Sequence, residues 1–278
     1  MSTTFLRGLK LLEIVGIDGP IGITELARRV DADKGTVSRM VTAAERDGWL
    51  VRTPGGVALG PRLPVLAHGT PRAAVLRDVE PLVDAVAGVT GLFAQVYMVV
   101  GGGVVPVLSA GRPPIGMPDP PLLEMPIWLV AAGRAAVALL SDDEIEALLP
   151  DGPFVVPANI AELNRSIAGP AADDGAPTHQ EDRETAGTRA ALFGELARIR
   201  ASGLSYDRGE ANPYLHCIAR PWPGLDSAAA ITVIGRSDDI TAGADLIEAV
   251  LLEAVAPGTT RERIVMSAAR AATGRTRA

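Results

Sequence analysis

A run of polar side chains between residues 34 and 42 has the composition of a surface that contacts DNA. Arginine and lysine bind guanine edges and phosphates, and serine and threonine hydroxyls bind phosphate oxygens. A solvated helix face has a similar composition, so the surrounding elements must decide between the two interpretations. The candidate contacts in this run are Lys34, Gly35, Thr36, Ser38, Arg39 and Thr42.

Two arginines outside this run are further candidates. Arg28 stands with Arg29 at the end of a short predicted helix, where it can contact a phosphate. Arg52 lies on a predicted strand, where it can contact the backbone or the minor groove, and a plain surface arginine fits the pattern equally well. Asp33 fits an N-cap better than a base contact, since its carboxylate can accept the free N–H groups of the next helix.

The elements that must position these side chains follow the order helix, helix, tight turn, helix, hairpin. Apolar residues at three- and four-residue spacing predict the helices, over 5–16, 23–30 and 34–47. Gly48 is the expected stop of the third helix. In the first helix the predicted buried stripe consists of Phe5, Leu6, Leu9, Leu12 and Val15.

A hairpin completes the N-terminal pattern. Strands are predicted at 49–53 and 57–59, around Pro54-Gly55-Gly56. A helix-turn-helix places its second helix in the major groove, and here a hairpin would follow it as a wing. We therefore predict a winged helix-turn-helix DNA-binding domain over residues 1–60.

The pattern of the remaining chain predicts a domain of mixed α/β secondary structure, with the α+β arrangement. Helices alternate with strands that have the lengths and turns of an antiparallel sheet. Residues 150–187 are rich in Pro, Gly, Asp and Ala, which predicts a partly disordered loop insertion. The predicted boundaries are a linker at 61–73, the domain at 74–256 and a loose basic tail at 257–278.

Charge and composition restrict the class of protein. The net charge is -7, yet residues 1–60 carry eight basic and seven acidic side chains, so the acidic excess lies elsewhere. A small local patch can still bind DNA, with salt-sensitive affinity. No apolar run approaches the roughly 20 residues of a membrane span. We also identify no secretory signal, and one cysteine, Cys217, fits a reducing cytoplasm.

No group of residues predicts catalysis or metal binding. Cys217 follows His216 on a predicted strand, so the two side chains point to opposite faces and cannot act as a nucleophile and its base. His68, His179 and His216 lack metal-ligand spacing. We expect no enzymatic activity, no cofactor and no metal.

Several motifs resemble the IclR family of bacterial transcription regulators. The N-terminal matches are Gly8-Leu9-Lys10-Leu11-Leu12, Glu25-Leu26-Ala27, Lys34-Gly35-Thr36-Val37-Ser38-Arg39-Met40, Glu45-Arg46-Asp47-Gly48-Trp49-Leu50 and Leu59-Gly60-Pro61-Arg62-Leu63. Looser matches in the C-terminal half are Leu196-Ala197-Arg198-Ile199-Arg200, Gly203-Leu204-Ser205-Tyr206-Asp207 and Cys217-Ile218-Ala219-Arg220-Pro221. They cover about 60 N-terminal residues well and about 100 C-terminal residues loosely.

The resemblance implies a ligand-responsive regulator in the cytoplasm. Such proteins are homodimers or homotetramers that bind a near-palindromic double-stranded operator, more often as repressors than as activators. Their C-terminal domain is GAF-like and binds a small metabolite, often an organic or aromatic acid. Two alternatives stay open, namely a ligand-independent DNA-binding or interaction protein with a degenerate sensor domain, and an enzyme fused to a DNA-binding domain.

The resemblance also implies an effector site in the C-terminal domain. Ile234 occupies a position where the family often has a small hydroxyl, which favours a less polar or differently oriented effector. Arg134 can pair with an acidic effector, although an exposed arginine is an equal alternative. The implied effector-binding residues are Gly133, Arg134, Asp207, Cys217, Thr232 and Ile234. Candidate apolar walls, each also interpretable as core, are Tyr97, Met98, Met117, Met125 and Trp128.

Overall fold

A computed structural model of the chain describes residues 3–68, 70–114, 117, 124–157, 160, 187–225 and 228–275. Contacts divide the chain into two compact units, Met1–Ala74 and Val75–Ala278. Most of the predicted loop insertion at 150–187, including His179, lies outside the described residues.

The first unit contains the predicted helices and hairpin. β1 and β2 pair antiparallel from Leu50 opposite Leu59 to Thr53 opposite Gly56. The main chain of Ile21 adds two hydrogen bonds to Val57, of 3.0 and 2.8 Å, which join the wing to the start of the second helix. The elements are α1 (Thr3–Asp18), α2 (Ile23–Arg29), α3 (Lys34–Arg46), β1 (Leu50–Thr53), β2 (Gly56–Leu59) and α4 (Arg62–His68).

Local signals define the ends of α3 as predicted. The Asp33 carboxylate accepts a hydrogen bond of 2.8 Å from the Thr36 main-chain N–H, a cap that contributes about 1 kcal/mol. Gly48 follows the C-cap with a φ of +78°, in the left-handed region that glycine adopts at low cost. Val37 and Val41 of α3 are fully buried, with Met40 and Ala44 packed against the same core.

The predicted buried stripe of α1 is wrong over its first half. Leu11, Ile14 and Val15 form the buried face, while Phe5, Leu6 and Leu9 are exposed. The N-terminal two turns of the helix extend past the core that α2, α3 and the hairpin provide. Their apolar side chains therefore have no partner within this core.

Most of the segment predicted as a linker, residues 61–73, is helical where the structure describes it. It contains α4 and the start of α5 (Pro71–Thr90). The division between the two units falls within α5, between residues 74 and 75.

The second unit is built on one antiparallel sheet with strand order β5-β4-β3-β8-β7-β6. Its strands are β3 (Phe93–Val100), β4 (Gly103–Ala110), β5 (Met125–Pro126), β6 (Ser205–Asp207), β7 (Leu215–Pro221) and β8 (Ala229–Arg236). Its helices after α5 are α6 (Ala131–Val137), α7 (Asp142–Glu146), α8 (Arg189–Ser202), α9 (Ser237–Ala254) and α10 (Arg261–Arg275).

Each face of the sheet carries its own apolar core. One face, here called the α6 face, includes Tyr97 and Ala230 and is covered by α6 and α8. The opposite face, here called the α9 face, includes Val96 and Ile231 and packs on α5, α9 and α10. Strand alternation sends neighbouring side chains to opposite cores, and both cores form the α+β architecture that the sequence predicts.

The C-terminal segment differs from the predicted loose tail. Residues 261–275 form α10, whose Ile264 is fully buried against the α9 core. The Ser267 hydroxyl donates a hydrogen bond of 3.2 Å to the Ala249 carbonyl of α9. The arginine-rich composition suggested a solvated tail, but apolar residues within it pack against α9.

Candidate DNA-binding and effector sites

The predicted DNA-contacting side chains lie on the solvent side of α3. Lys34, Gly35, Arg39 and Thr42 are exposed, whereas Thr36 and Ser38 are half-buried. The opposite side of the helix forms the core described above, so this surface is available for a partner. Hydrogen bonds from Thr36 hold the pKa of the Asp33 carboxyl below its ordinary value, so this cap carries a negative charge at neutral pH.

Arg39 is held in place within this surface. One of its terminal nitrogens donates a hydrogen bond of 3.0 Å to the Thr36 hydroxyl, one helical turn earlier. A guanidinium has five N–H donors, so the contact with Thr36 leaves others for a base edge or phosphate.

Arg52 connects the wing to α3. Its Nε donates a hydrogen bond of 3.0 Å to Glu45, and its Nη2 donates one of 3.3 Å to the Thr42 hydroxyl. Thr42 and Arg52, predicted separately as DNA contacts, therefore touch each other. The ion pair is largely solvated, with 44 % of the Arg52 side chain and 35 % of the Glu45 side chain exposed, so it stabilises the fold little.

Arg52→Ala is expected to weaken DNA binding because one phosphate contact is lost. The slope of the logarithm of the DNA association constant against the logarithm of salt concentration should become shallower by about 1. Glu45→Gln is the matched variant, since it removes the charge partner of Arg52 but keeps the arginine. Gel-shift titrations at several salt concentrations should show unweakened binding for Glu45→Gln. Equal weakening by both variants would instead assign Arg52 to wing positioning.

Arg28 is already paired. Its Nε and Nη2 donate hydrogen bonds of 2.9 and 2.5 Å to the two carboxylate oxygens of Glu25. The hydrogen bond with Arg28 lowers the pKa of Glu25, so the pair is fully ionised at neutral pH. A phosphate contact by Arg28 must therefore compete with Glu25 for the same guanidinium.

In the second unit, strand register brings three of the predicted effector residues into one row. Asp207 lies opposite Cys217, Cys217 opposite Ile234, and Ile234 opposite Phe93. Thr232 lies in the next row, between Ala219 and Gln95. Paired residues project from the same face of a sheet, so all these side chains belong to the α6 face.

Arg134 is fully buried and bound to the main chain. Its Nη1 donates to the carbonyls of Trp128 and Leu129 at 3.2 and 3.3 Å, and its Nη2 donates to the Tyr206 carbonyl at 2.5 Å. A carboxylate oxygen of Glu210 lies 3.7 Å from Nη2. The guanidinium thus ties α6 to β6, and an effector would have to compete with these partners.

Asp207 and Glu210 form a buried acidic pair beside Arg134. The Asp207 carboxylate accepts hydrogen bonds of 3.0 and 2.9 Å from the N–H groups of Gly209 and Glu210. Burial, followed by the hydrogen bond and negative charge of Glu210, raises the pKa of Asp207 well above its ordinary value. Burial also acts to raise the pKa of Glu210, but the contacts with Asp207 and Arg134 bring it below the ordinary value. Burial therefore disfavours the charged form of Asp207 more than that of Glu210.

Cys217 is half-buried and packs against two apolar clusters. Burial and the neighbouring Asp207 raise the pKa of its thiol well above the ordinary value, so the nucleophilic thiolate is not formed at neutral pH. His216 projects from the opposite face of β7. Among the residues that the structure describes, no three His, Cys, Asp or Glu side chains are arranged to hold a metal ion.

Gly133 and Thr232 serve the packing of the α6 face. A Cβ on Gly133 would lie 2.7 Å from the Ile127 Cα, so only glycine permits this approach of α6 to the preceding chain. Thr232 is 1 % exposed, and its hydroxyl donates a hydrogen bond of 3.2 Å to the Ile218 carbonyl.

The candidate apolar walls separate between the two faces. Met98 packs in the α9 core, and so it cannot line a site on the α6 face. Tyr97, Trp128 and Met125 belong to the α6 core, where the Trp128 ring stacks on Phe154 at 4.9 Å between centroids. Met117 packs against a small buried cluster of Phe93, Leu215 and Ile234.

Sequence reasoning missed Phe93, Leu215 and the polar network beside Thr232. The Tyr97 hydroxyl donates a hydrogen bond of 2.8 Å to the Gln95 side chain, and Gln95 donates one of 3.0 Å to the Ser109 hydroxyl. The sequence does not show the register that sets these residues beside β8.

Two family models match separate parts of the chain. Residues 7–55 match the MarR family, and residues 175–256 match the bacterial transcriptional regulator IclR C-terminal family. No curated protein sequence matches significantly. None of the helices in the described ranges is long and apolar enough to cross a membrane.

Solved structures share the fold along almost the whole chain. An IclR transcriptional regulator from Alicyclobacillus acidocaldarius is 19 % identical, with a TM-score of 0.60, covering 99 % of this chain and 97 % of its own. An IclR homologue from Microbacterium hydrocarbonoxydans, crystallised with 4-hydroxybenzoate, is 19 % identical, with a TM-score of 0.62 and coverage of 96 % and 99 %. The IclR protein of Thermotoga maritima is 15 % identical, with a TM-score of 0.55 and coverage of 95 % and 98 %.

Proposed function

We propose that this chain is a transcription regulator of the IclR type, which binds a near-palindromic operator as a homo-oligomer and responds to a small effector. The effector binds within residues 74–256 and changes the affinity of the winged helices for the operator. The protein acts in the cytoplasm, where bacterial chromosomal DNA lies, and represses transcription when no effector is bound. It catalyses no reaction.

The observation that carries this proposal is the capped α3 with one buried and one polar face, followed by a wing that contacts it. Arg39 and Lys34 stand at the N-terminal half of α3, the part of a recognition helix that reaches base edges. The domain is close to neutral, so specific contacts must supply most of the affinity. The proposed contacts are Arg28, Lys34, Gly35, Thr36, Ser38, Arg39, Thr42 and Arg52.

Exposed apolar side chains of the first unit support a homo-oligomer. Phe5, Leu6 and Leu9 of α1 are 62, 48 and 49 % exposed, and Val65 and Leu66 of α4 are 72 and 59 % exposed. Apolar side chains grouped on a surface mark interaction sites. A second copy that covers α1 would present two α3 helices to two half-sites, as a dimer or as half of a tetramer.

The proposed effector site lies on the α6 face. Asp207, Cys217 and Ile234 form its row, and the buried residues Gly133, Arg134 and Thr232 complete the proposed site. The Microbacterium relative carries 4-hydroxybenzoate, which supports a small organic or aromatic acid as one class of effector. Binding to one arrangement of the oligomer more tightly than to another suffices to change operator affinity.

Operator selection from random duplex DNA tests this function, followed by gel shift of the selected duplex with the full chain. We expect two-fold related half-sites about one helical turn apart, because the protein is a symmetric oligomer. A thermal-shift screen of small acids, aromatics and amino acids then identifies effectors, since a bound ligand raises the melting temperature. Selection of no sequence would overturn the regulator function. A selected operator whose binding no ligand alters would instead support a degenerate sensor domain.

A further inference from the structure

A cleft of about 670 Å³ opens at one end of the sheet of the second unit. It lies where β3 and β7 begin and β8 ends, and its apolar residues include Phe93, Leu215 and Ile234. These three residues form a buried cluster, with Cys217 packed against it. The cleft therefore borders the row of predicted effector residues, and its volume is that of a site for a small ligand.

Charged side chains of both signs line the same cleft. Arg112 stands on the segment after β4, while Arg236, Asp238 and Asp239 stand where β8 passes into α9. All four are exposed. Within the described ranges, Arg112 and Arg236 form no ion pair, since no carboxylate oxygen lies within 4.0 Å of either guanidinium. None of the four side chains makes a hydrogen bond to another described residue. Asp238 also lies close enough to His216 to act on it electrostatically.

This combination of groups selects among ligand charges. A simple carboxylate would be attracted by the two arginines but also repelled by the two aspartates. A simple cation would be attracted by the aspartates and repelled by the arginines. A molecule with one charge of each sign can place each group beside its opposite while its apolar part covers the floor.

We propose that this cleft binds a zwitterion with an apolar side chain, that is, an apolar α-amino acid. Its carboxylate pairs with Arg112 or Arg236, its ammonium group pairs with Asp238 or Asp239, and its side chain packs on Phe93, Leu215 and Ile234. This assignment rests on the proposed function, since it names the class of effector that residues 74–256 bind.

Three probes of matched shape test the assignment by calorimetric titration of the full chain. L-Phenylalanine carries both charges, 3-phenylpropionate lacks the amine, and phenethylamine lacks the carboxylate. We expect L-phenylalanine to bind at least about tenfold more tightly than either analogue, since each analogue leaves one pair of protein charges without a partner. Equal or tighter binding of 3-phenylpropionate would overturn the proposal in favour of an acid site. The proposal would also be overturned if none of the three probes bound and L-leucine did not bind either.

Charge variants assign the two ends of the ligand. Asp238→Asn combined with Asp239→Asn should weaken L-phenylalanine about tenfold or more and make 3-phenylpropionate bind as well as L-phenylalanine. Arg112→Gln combined with Arg236→Gln should produce the reciprocal preference for phenethylamine. The matched controls are Asp245→Asn and Arg270→Gln, which are exposed and lie off the cleft. Unchanged preferences in both double variants would contradict the proposal.

Operator binding by the same proteins without ligand separates this inference from the proposed function. Operator binding retained in a chain that binds no amino acid overturns the zwitterion assignment alone. If the wild-type chain recognises no operator, the regulator function itself is overturned. Circular-dichroism melts verify that every variant is folded. If a double variant does not fold, the corresponding single substitutions are measured instead.

Discussion

Replacing Arg134 by methionine is expected to lower the free energy of unfolding of the second unit by about 3–5 kcal/mol, the cost of removing one partner of a buried ion pair. Arg134 is 0 % exposed, and Glu210 beside it is 13 % exposed. The substitution leaves the Glu210 charge without its cation. It also removes the donors of three carbonyls, those of Trp128, Leu129 and Tyr206. Methionine fills a similar volume, so the loss reports the polar contacts more than a cavity.

Urea unfolding followed by tryptophan fluorescence measures this loss, because Trp128 and Trp222 are both buried in the second unit. Arg200→Met is the matched control. Arg200 also donates to two carbonyls, of Ala138 and Leu140, and pairs with Asp142, but its side chain is 36 % exposed. Water can replace those contacts, so we expect a loss of about 1 kcal/mol or less.

A double variant separates the unpaired charge from the lost hydrogen bonds. Arg134→Met with Glu210→Gln removes both charges, and we expect it to be less destabilised than the sum of the two single variants. A loss below about 1 kcal/mol for Arg134→Met would mean that the guanidinium contributes little to the fold. It would then be available for an acidic effector, as the sequence suggested.

The fold of the first unit was predictable because its signals are local. Asp33 caps α3 and Gly48 ends it, and both residues act within one turn of their own position. Trp49 to Leu59 similarly contains both strands and the turn of the hairpin. Such contacts span few residues, so the spacing of residue types contains nearly all the information.

The buried face of α1 was not predictable by the same means. Leu6, Leu9 and Leu12 follow at three-residue spacing, and Leu11 is three and four residues from Ile14 and Val15. A leucine-rich helix therefore offers two apolar stripes, and the position of the neighbouring core decides between them. The pattern of α10 was hidden for a related reason, since its four arginines outweighed a single buried Ile264.

The predicted effector residues depend on long-range contacts that the sequence does not show. The resemblance supplied Asp207, Cys217 and Ile234, and register then placed them in one row across β6, β7 and β8. The role of Arg134 required the fold, because its contact with Tyr206 joins positions 72 residues apart. An arginine within a predicted helix looks exposed unless the distant carbonyls that bind it are known.

Arg39→Ala is expected to weaken operator binding by about 1–3 kcal/mol per half-site, or roughly 5–150-fold, without unfolding the protein. Arg39 is exposed on α3, and the Thr36 hydroxyl holds its guanidinium over the first turns of that helix. A guanidinium held in this way loses less side-chain entropy on binding. Its loss removes donors and charge but no buried surface, so the melting temperature should hardly change.

Gel-shift titration of the selected operator measures this change, and two further variants make it specific. Arg46→Ala removes an arginine from the C-terminal end of the same helix, where 81 % of the side chain is exposed, and should leave affinity within about twofold. Arg39→Lys keeps the charge but loses the planar fork, so it distinguishes two kinds of contact. Rescue by lysine, with a lower salt dependence for Arg39→Ala, would indicate a phosphate. Failure of lysine to rescue, with relaxed preference at one base pair, would indicate a guanine. Unchanged affinity of Arg39→Ala would contradict the assignment of α3 as the recognition helix.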